Sequence, residues 1–313
     1  MTGLANERVL VAGASGFIGR AICRRAASRG IASLGVLRPG NVHRGAAAVT
    51  IDPEDVLALA QTVRAFGPTM VINAAGAASV ADSVLDPITD RRGNVQAWLN
   101  VLDAIRLSGS PATAVNISSA AVYGEPERLP LAESAPCRPI SPYGHHKLQS
   151  ELAGDEYSAC FGIPVVSARV FSVLGPAQRR LLAWEIAAQA LSDGGDVKLR
   201  GSGEETRDFI HVDDLADALL GLGAPTSGRD HRSTRVNVAT GVETSVATLA
   251  VMILAALDCD KPLRFLGQRS SSDPQRWQAD VGRLSTMLPG WQPRGISATV
   301  DDCVSVWKHS PRD

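Results

Sequence analysis

Three polar residues in the middle of the chain have the types and spacing of a proton-transfer site. Tyr143 and Lys147 are four positions apart, so a helix places them on one face. A lysine beside a phenol stabilises the phenolate, which should lower the pKa of Tyr143. Ser119 follows a predicted strand and could hydrogen-bond the substrate oxygen that exchanges a proton with Tyr143. We therefore predict a Ser119, Tyr143 and Lys147 catalytic triad that uses no metal.

A second cluster, near the N-terminus, has the pattern of a dinucleotide-binding turn. Gly13, Gly16 and Gly19 lie between the apolar run 9–11 and a predicted helix. They would allow, in that order, a tight turn, close approach of a pyrophosphate, and close packing of the helix on a sheet. The N–H groups at the start of that helix would bind the same anion. The other predicted cofactor contacts in this loop are Ser15, Phe17 and Ile18.

The end of the second predicted strand bears on which dinucleotide is bound. NAD sites usually carry Asp or Glu there, bound to the ribose hydroxyls. This chain has Leu37 and Arg38 instead. A guanidinium can bind a 2′-phosphate through paired hydrogen bonds, so we predict a preference for NADP(H), with NAD(H) as the alternative. The simpler interpretation of Arg38 is a solvated loop arginine.

Short β-branched runs alternate with helix-like segments through the first half of the chain. Strands are predicted at 9–11, 34–37, 70–72, 114–117 and 165–170, and helices at 17–29, 94–107 and 143–161, with another helix opening at Asp52 as its N-cap. This alternation predicts an α/β fold, a Rossmann-type doubly wound parallel sheet. We assign residues 1–175 to this domain, which takes back about 235–258. Residues 176–234 and 259–313 would form a smaller C-terminal α/β lobe that binds the substrate.

Composition argues against several classes of protein. The 313 residues include 31 Lys and Arg and 32 Asp and Glu, which leaves no basic excess for a nucleic-acid partner. The five cysteines are scattered and contain no C-x-x-C pair. The polar N-terminus has no signal-peptide pattern, and no apolar run is long enough to span a membrane. We therefore expect a cytoplasmic protein with no membrane partner.

Together these motifs resemble the extended short-chain dehydrogenase/reductases of the nucleotide-sugar epimerase/dehydratase group. The glycine loop and the predicted triad carry the resemblance, with the late segment Gly201–Asp214 as its most specific further match. By this resemblance Asp52 would contact the adenine. The family's further cofactor contacts match Ala74, Ala75, Gly76 and Asn94. The resemblance also implies a homodimer formed through the helices that carry Trp98 and Tyr143, although the Trp98 face could equally pack on the sheet.

The same resemblance implies a nucleotide-diphosphate sugar as the substrate. Arg207 would bind the diphosphate, unless it forms an ion pair with Asp208 or Asp213. A second arginine would come from the tail, where Arg276 competes with Arg269. The remaining predicted substrate contacts are Ser79, Ser119 and Ser172, the last at a position where many family members carry Asn.

Two reactions fit these residues. In the first, NADPH delivers a hydride to a 4-keto nucleotide sugar while Tyr143 protonates the oxygen. In the second, a tightly held NAD takes a hydride from C4 and returns it to the other face, which epimerises the sugar. Dehydration is disfavoured because Ala120 and Ala121 replace the acid–base pair of the 4,6-dehydratases. Arg38 makes us prefer the 4-ketoreductase over the 4-epimerase. A non-catalytic sensor is disfavoured because the tyrosine and the lysine are both present.

Overall fold

A seven-stranded parallel sheet forms the centre of the computed structural model, which describes residues 6–42, 46–225, 233–268 and 274–309. The order across the sheet is β10, β6, β5, β4, β1, β2, β3, and every neighbouring pair is parallel. The predicted doubly wound α/β fold is thereby confirmed. The strands are β1 (Arg8–Ala12), β2 (Ala32–Leu37), β3 (Ala48–Thr50), β4 (Met70–Asn73), β5 (Thr113–Ser119), β6 (Val165–Val170), β7 (Ser172–Leu174), β8 (Val197–Leu199), β9 (Thr206–His211), β10 (Thr234–Val238), β11 (Glu243–Ser245) and β12 (Leu263–Phe265).

Helices cover both faces of this sheet. They are α1 (Phe17–Ser28), α2 (Val56–Phe66), α3 (Val80–Leu85), α4 (Pro87–Arg91), α5 (Ala97–Ser108), α6 (Pro142–Phe161), α7 (Leu181–Leu191), α8 (Val212–Gly223), α9 (Val246–Ala256), α10 (Gly282–Met287) and α11 (Ile296–Trp307). A π-helical turn, Arg92–Gln96, joins α4 to α5, so the helix predicted from 94 continues a longer run. Within the described ranges, no helix has the length and apolar composition needed to cross a bilayer.

Alternate residues of each central strand face different helices. Val9 and Val11 of β1 pack in one core with α1 and α8, whereas Leu10 packs in another with α2 and α5. Strands buried on both faces need continuous apolar runs, which explains why short runs such as 9–11 were recognisable. β3 was not predicted, because its three residues at the sheet edge are only partly covered.

Residues around 52 form a turn before α2 rather than its cap. The Asp52 carboxylate accepts a hydrogen bond from the Glu54 N–H at 3.0 Å, which closes a local turn. Asp55 is the N-cap, and its carboxylate accepts from the Ala58 N–H at 2.9 Å. The prediction of Asp52 as the N-cap is therefore wrong by three residues.

A smaller lobe is built around α7, α9 and α11, with a core that includes Trp307 and Ile253. Two short sheets accompany it, β11–β9–β7 and β12–β8. The packing changes the assignment of several segments. β10 returns to the main sheet, but α9 stays in the smaller lobe, although residues 235–258 were predicted to return together. Conversely, α8 and α10 pack against the main sheet, because their apolar faces cover the side that α1 leaves open. The boundaries of the two lobes, redrawn on this packing, remain our proposal.

One buried charge network joins α6 to β6. Glu151, which is fully buried, accepts hydrogen bonds from Arg169 Nε at 2.9 Å and Nη2 at 2.7 Å. It also accepts from the Ser118 hydroxyl at 2.6 Å and from Arg235 Nε at 3.1 Å. Removing one partner of a buried ion pair leaves the other charge uncompensated in a medium of low polarity.

We predict that Glu151→Gln lowers the free energy of unfolding by about 3–5 kcal/mol, because the buried Arg169 guanidinium loses its counter-charge. Urea denaturation followed by circular dichroism measures the change. Glu127→Gln is the matched control, because the Glu127–Arg138 pair is exposed and such pairs contribute little. Equal stability of the two variants would contradict the role we give Glu151.

Candidate active site

The predicted site residues meet at the carboxyl edge of three adjacent strands. The glycine loop follows β1, residues Ala74–Gly76 follow β4, and Ser119 ends β5. These strands are neighbours in the order β5, β4, β1. Ligands of open parallel sheets bind at this edge, where the loops diverge.

The glycine loop packs tightly against the loop after β4. Gly13 has a left-handed φ of +76°, and a Cβ there would lie 2.5 Å from the Ala75 nitrogen. A Cβ on Gly19 would lie 2.3 Å from the Gly13 carbonyl oxygen. Helix α1 begins at Phe17, with Gly16 as its N-cap, no side-chain cap and no acidic residue in its first turn. This arrangement leaves the helix N-terminus suited to an anion, the role predicted for it.

Helix α6 brings Tyr143 and Lys147 to Ser119. The Ser141 hydroxyl caps the helix by accepting from the Gly144 N–H at 3.2 Å, and Pro142 occupies its first turn. The Lys147 ammonium donates to the Ile117 carbonyl of β5 at 2.9 Å. The Ser119 hydroxyl is near enough to the Tyr143 phenol to lower its pKa, against the larger effect of burial. The three residues predicted as a triad are therefore together, and all three are buried.

The charge properties of the pair differ from the prediction. Burial raises the pKa of Tyr143 to about 12; the hydrogen bond with Ser119 lowers it and the Asp90 carboxylate raises it further. Burial lowers the pKa of Lys147 to about 8, against the opposing effect of Asp90. The expected acidification of Tyr143 is thus wrong for the protein alone, because desolvation outweighs the ammonium, which lies 5.6 Å from the ring centroid. A cationic group bound nearby would be needed to lower the pKa of Tyr143 further.

Asn94 lies in the π-helical turn beside these residues. Its amide nitrogen donates to the Asp90 carbonyl at 3.1 Å, while its Oδ1 is buried with no hydrogen-bond partner among the described residues. Oδ1 and the Lys147 ammonium lie 2.6 and 3.6 Å from the position that a Cβ on Gly76 would take. An unsatisfied buried acceptor beside an ammonium is suited to a ligand hydroxyl.

Of the further predicted cofactor residues, three lie in or next to the glycine loop, and two lie beyond the ends of β2 and β3. Ser15 is half-buried, and its hydroxyl accepts from the Asn41 amide at 3.1 Å. Phe17 and Ile18 are half-buried and pack against the core beneath α1. Arg38 and Asp52 are exposed beyond the ends of β2 and β3. No ion pair of the Arg38 side chain is found among the described residues.

Besides Ser119, the predicted substrate residues within the described ranges lie on α3, β7 and β9. Ser79 caps α3 and is half-buried, as is Ser172 in β7. Arg207 is buried on β9, with its guanidinium 5.2 Å from the centroid of the Trp277 ring. Trp277 belongs to the same apolar cluster as Tyr143, which places Arg207 on the side of the catalytic residues.

The two aspartates that could have formed an ion pair with Arg207 have other partners. The Asp208 carboxylate accepts from Thr240, Gly241 and Ala279, and Asp213 pairs with Arg24. Arg276 forms a two-bond ion pair with Glu243, so it is poorly placed to compete as a diphosphate ligand. Arg269 lies outside the described residues.

Three further residues at this site, Asp90, His146 and Trp277, were not predicted from the sequence, because they carry no recognised motif. His146 is buried, with Nδ1 2.6 Å from Asp90 Oδ2. Its spacing of three from Tyr143 was the available signal, since positions i and i+3 share a helix face.

A family model for the NAD dependent epimerase/dehydratase family matches residues 9–239. The chain belongs to this family. It is similar to the UDP-glucose 4-epimerase of Mycolicibacterium smegmatis, with 32% identity over 94% of this chain and 97% of that protein. The UDP-glucose 4-epimerase of Thermus thermophilus, solved in complex with NAD, superposes with a TM-score of 0.85 and 27% identity over 97% of this chain and all of that one. MoeE5, solved with UDP-glucose and NAD, superposes with a TM-score of 0.83 and 26% identity over 96% of this chain and 98% of that one.

Membership confirms the predicted resemblance and makes the chain an enzyme of the extended short-chain dehydrogenase/reductase type. The relatives favour the epimerase, our second reaction, over the ketoreductase that we preferred. The solved relatives contain NAD, so they give no support to the predicted NADP(H) preference. The local residue Arg38 was too weak a guide, because an exposed arginine is compatible with either dinucleotide.

We predict that Gly13→Ala weakens dinucleotide binding and destabilises the epimerase-family fold, because the new methyl group would collide with the Ala75 backbone. Urea denaturation and quenching of protein fluorescence by NADH measure the two effects. Gly30→Ala is the control: Gly30 has a similar φ of +69° but no atom within 4 Å of the new Cβ. That variant should lose only about 1–2 kcal/mol of stability, because of backbone strain, and should keep its NADH affinity. Similar losses in both variants would show that the close approach is unimportant.

Proposed function

We propose that this protein is an NAD-dependent nucleotide-sugar 4-epimerase. The observation that carries the proposal is the end-to-end similarity to UDP-glucose 4-epimerases, with 32% identity across 94% of the chain. The geometry supports it, because Ser119 ends, and the buried Tyr143 follows, a strand that neighbours β4, and the glycine loop packs tightly against the loop after β4. Those two parts are what a hydride and proton exchange at one sugar carbon requires.

The described residues fit a bound nicotinamide dinucleotide. Gly13–Gly19 would hold the pyrophosphate, while Ala74–Gly76 and Asn94 would line the path to the nicotinamide. The crowding at Gly13 and Gly19 and the unpartnered Asn94 oxygen are the features that suit this ligand. When bound, the cofactor accepts a hydride from the sugar and returns it.

The chain's own residues move the proton. Tyr143 takes the proton of the C4 hydroxyl as that carbon is oxidised and gives it back as the carbon is reduced. Ser119 hydrogen-bonds the same sugar oxygen and fixes its position near the phenol. Lys147 stabilises the phenolate while its ammonium keeps its proton, a state that burial confines to pH values below about 8. Because Tyr143 alone has a pKa near 12, the base form depends on the positive charge of the oxidised cofactor.

For the substrate we propose a uridine-diphosphate hexose. MoeE5 and the M. smegmatis and T. thermophilus relatives are described with UDP-glucose or as UDP-glucose epimerases. In this proposal Arg207, which is buried beside Trp277, would bind the diphosphate, and Ser79 and Ser172 would contact the sugar. A guanidinium makes paired bonds to phosphate, which suits a near-neutral protein with an anionic substrate.

A second candidate, NADP(H)-dependent 4-keto sugar reduction, keeps one specific observation in its favour. Arg38 is exposed at the end of β2 with no acidic residue beside it in sequence. An acid at that point is the usual partner of the NAD ribose. The two reactions share the triad, so cofactor identity separates them.

We also propose that the enzyme is a homodimer. Leu85, Ile88 and Leu152 are exposed apolar residues on α3, α4 and α6, three helices that contact one another. Trp98 and Leu102 pack in the core, as in the alternative interpretation of the Trp98 face, so the dimer face that we propose uses other residues. Clustered exposed apolar residues are typical of association surfaces.

We predict that Tyr143→Phe lowers kcat for interconversion of UDP-glucose and UDP-galactose by about 10²- to 10⁴-fold, because the phenol is the proton carrier. Cofactor content should not change. A coupled assay and the spectrum of the purified protein measure both quantities. Tyr157→Phe, on the same helix and remote from Ser119, should keep full activity. Turnover by Tyr143→Phe at the parent rate would remove the proposed mechanism.

We predict that the purified protein releases NAD on denaturation and that Arg38→Ala binds NADH as tightly as the parent. Chromatography of the released nucleotide and fluorescence titration with NADH and NADPH provide the data. A protein that carries NADP, or an Arg38→Ala variant whose NADPH affinity alone falls tenfold, would instead establish the reductase.

A further inference from the structure

A carboxylate–imidazole pair joins α4 to the helix that carries Tyr143 and Lys147. Asp90 of α4 and His146 of α6 are both buried, and His146 Nδ1 is 2.6 Å from Asp90 Oδ2. This separation is that of a hydrogen bond between the imidazole ring and the carboxylate. His146 stands between Tyr143 and Lys147 in sequence, which ties the pair to the catalytic helix.

The pair continues into a group of polar atoms that reaches Lys147. The second oxygen, Asp90 Oδ1, is buried and has no hydrogen-bond partner among the described residues. The Asp90 carbonyl holds the Asn94 amide, whose own Oδ1 approaches Gly76 on the side of the Lys147 ammonium. The Asn94 oxygen and the Asp90 carboxylate therefore both belong to the polar surroundings of one buried cation.

The outer side of the pair faces a groove of about 700 Å³, which His146 helps to line. The charged groups that face it are Glu54, from the turn before α2, and Arg91 and Arg92, from α4 and the π-helical turn. Away from the groove, the titratable groups on which the Asp90 carboxylate acts electrostatically are Lys147 and Tyr143.

We propose that Asp90 is a positioning residue that holds the positive charge of Lys147 beside Tyr143, and that His146 fixes the Asp90 carboxylate by hydrogen bonding. The importance of Asp90 for catalysis rests on the proposed function, because only proton transfer by Tyr143 needs the positive charge of Lys147. The arrangement itself does not depend on the substrate.

The physical reason is the cost of burying Lys147. Removing an ammonium from water favours its neutral form, and a nearby carboxylate opposes that tendency. The Ile117 carbonyl supplies one hydrogen bond but no charge. Without Asp90 the lysine would lose its proton at lower pH, and a neutral amine cannot stabilise the Tyr143 phenolate.

The charge of Lys147 can be measured without substrate or cofactor. The chain has only four lysines, Lys147, Lys198, Lys261 and Lys308. In full-length protein whose lysines carry ¹³C at Cε they give four signals, and Lys147→Met identifies the one of interest. Titration by nuclear magnetic resonance then yields the Lys147 pKa in the parent and in each variant.

We predict that Asp90→Asn lowers the Lys147 pKa by about one unit, since loss of an adjacent opposite charge is worth roughly 1–3 units. His146→Gln keeps a donor for the carboxylate and should leave the Lys147 pKa near that of the parent. Asp103→Asn, which removes a half-exposed carboxylate of α5 paired with Arg106, should have no effect. If Asp90→Asn does not fold, Asp90→Ser provides the same comparison.

An unchanged Lys147 pKa in the folded Asp90→Asn or Asp90→Ser variant would overturn the inference. A purely structural role would change thermal stability without moving that titration. The proposed function fails separately: a parent protein with the expected Lys147 titration but no epimerase activity would refute the function and leave the role of Asp90 standing. In an active enzyme, Asp90→Asn should also shift the alkaline fall of kcat to lower pH by the same amount.

Discussion

The contact between α6 and the strands β5 and β6 is polar, and the catalytic geometry depends on it. The buried face of α6 consists largely of polar or small residues, and the bonds from Lys147 to Ile117, from Asn116 to Ser150 and from Ser118 to Glu151 join it to β5. Apolar side chains tolerate small sliding motions, whereas hydrogen bonds require defined distances and angles. The same bonds that hold α6 on the sheet therefore fix where Tyr143 and Lys147 stand relative to Ser119. Burying so many polar groups is unfavourable unless each finds a partner, and the network around Glu151 shows how this helix meets that condition.

Sequence patterns predicted the central strands, the glycine loop and the shared helix face of Tyr143 and Lys147, because each depends on neighbours in sequence. The run 9–11 is apolar throughout, Gly13–Gly19 has fixed spacing, and Tyr143 and Lys147 share a helix face. The domain assignments that failed depend on contacts distant in sequence. α8 and α10 pack on the main sheet because α1 leaves part of that face uncovered, and no local pattern in either helix reveals it. The Asp90–His146 pair joins residues far apart in the chain, so it too was invisible before the fold was known.

The pKa values of Tyr143 and Lys147 also could not be predicted from the sequence. The spacing of Tyr143 and Lys147 predicted an acidic phenol, but spacing carries no information on how deeply the two groups are buried. In the fold, desolvation acts on both, and it moves the pKa of the tyrosine up and that of the lysine down. The site is thus poorly suited to proton abstraction until a cationic ligand arrives. Such a dependence couples the base strength of Tyr143 to the oxidation state of whatever dinucleotide is bound.

The strand β10 has a consequence for how the protein is made. It pairs with β6, yet it follows α7, β8, β9 and α8 in the chain. A polypeptide emerging from the ribosome therefore exposes β6, whose residues are all buried in the finished enzyme, until residues 234–238 have been synthesised. An open apolar strand edge invites pairing with other chains. Premature termination between β6 and β10 would release a fragment that contains the whole glycine loop and the triad but has an unpaired strand at the edge of its sheet. Such a fragment would be prone to aggregate and would be a substrate for cellular quality control.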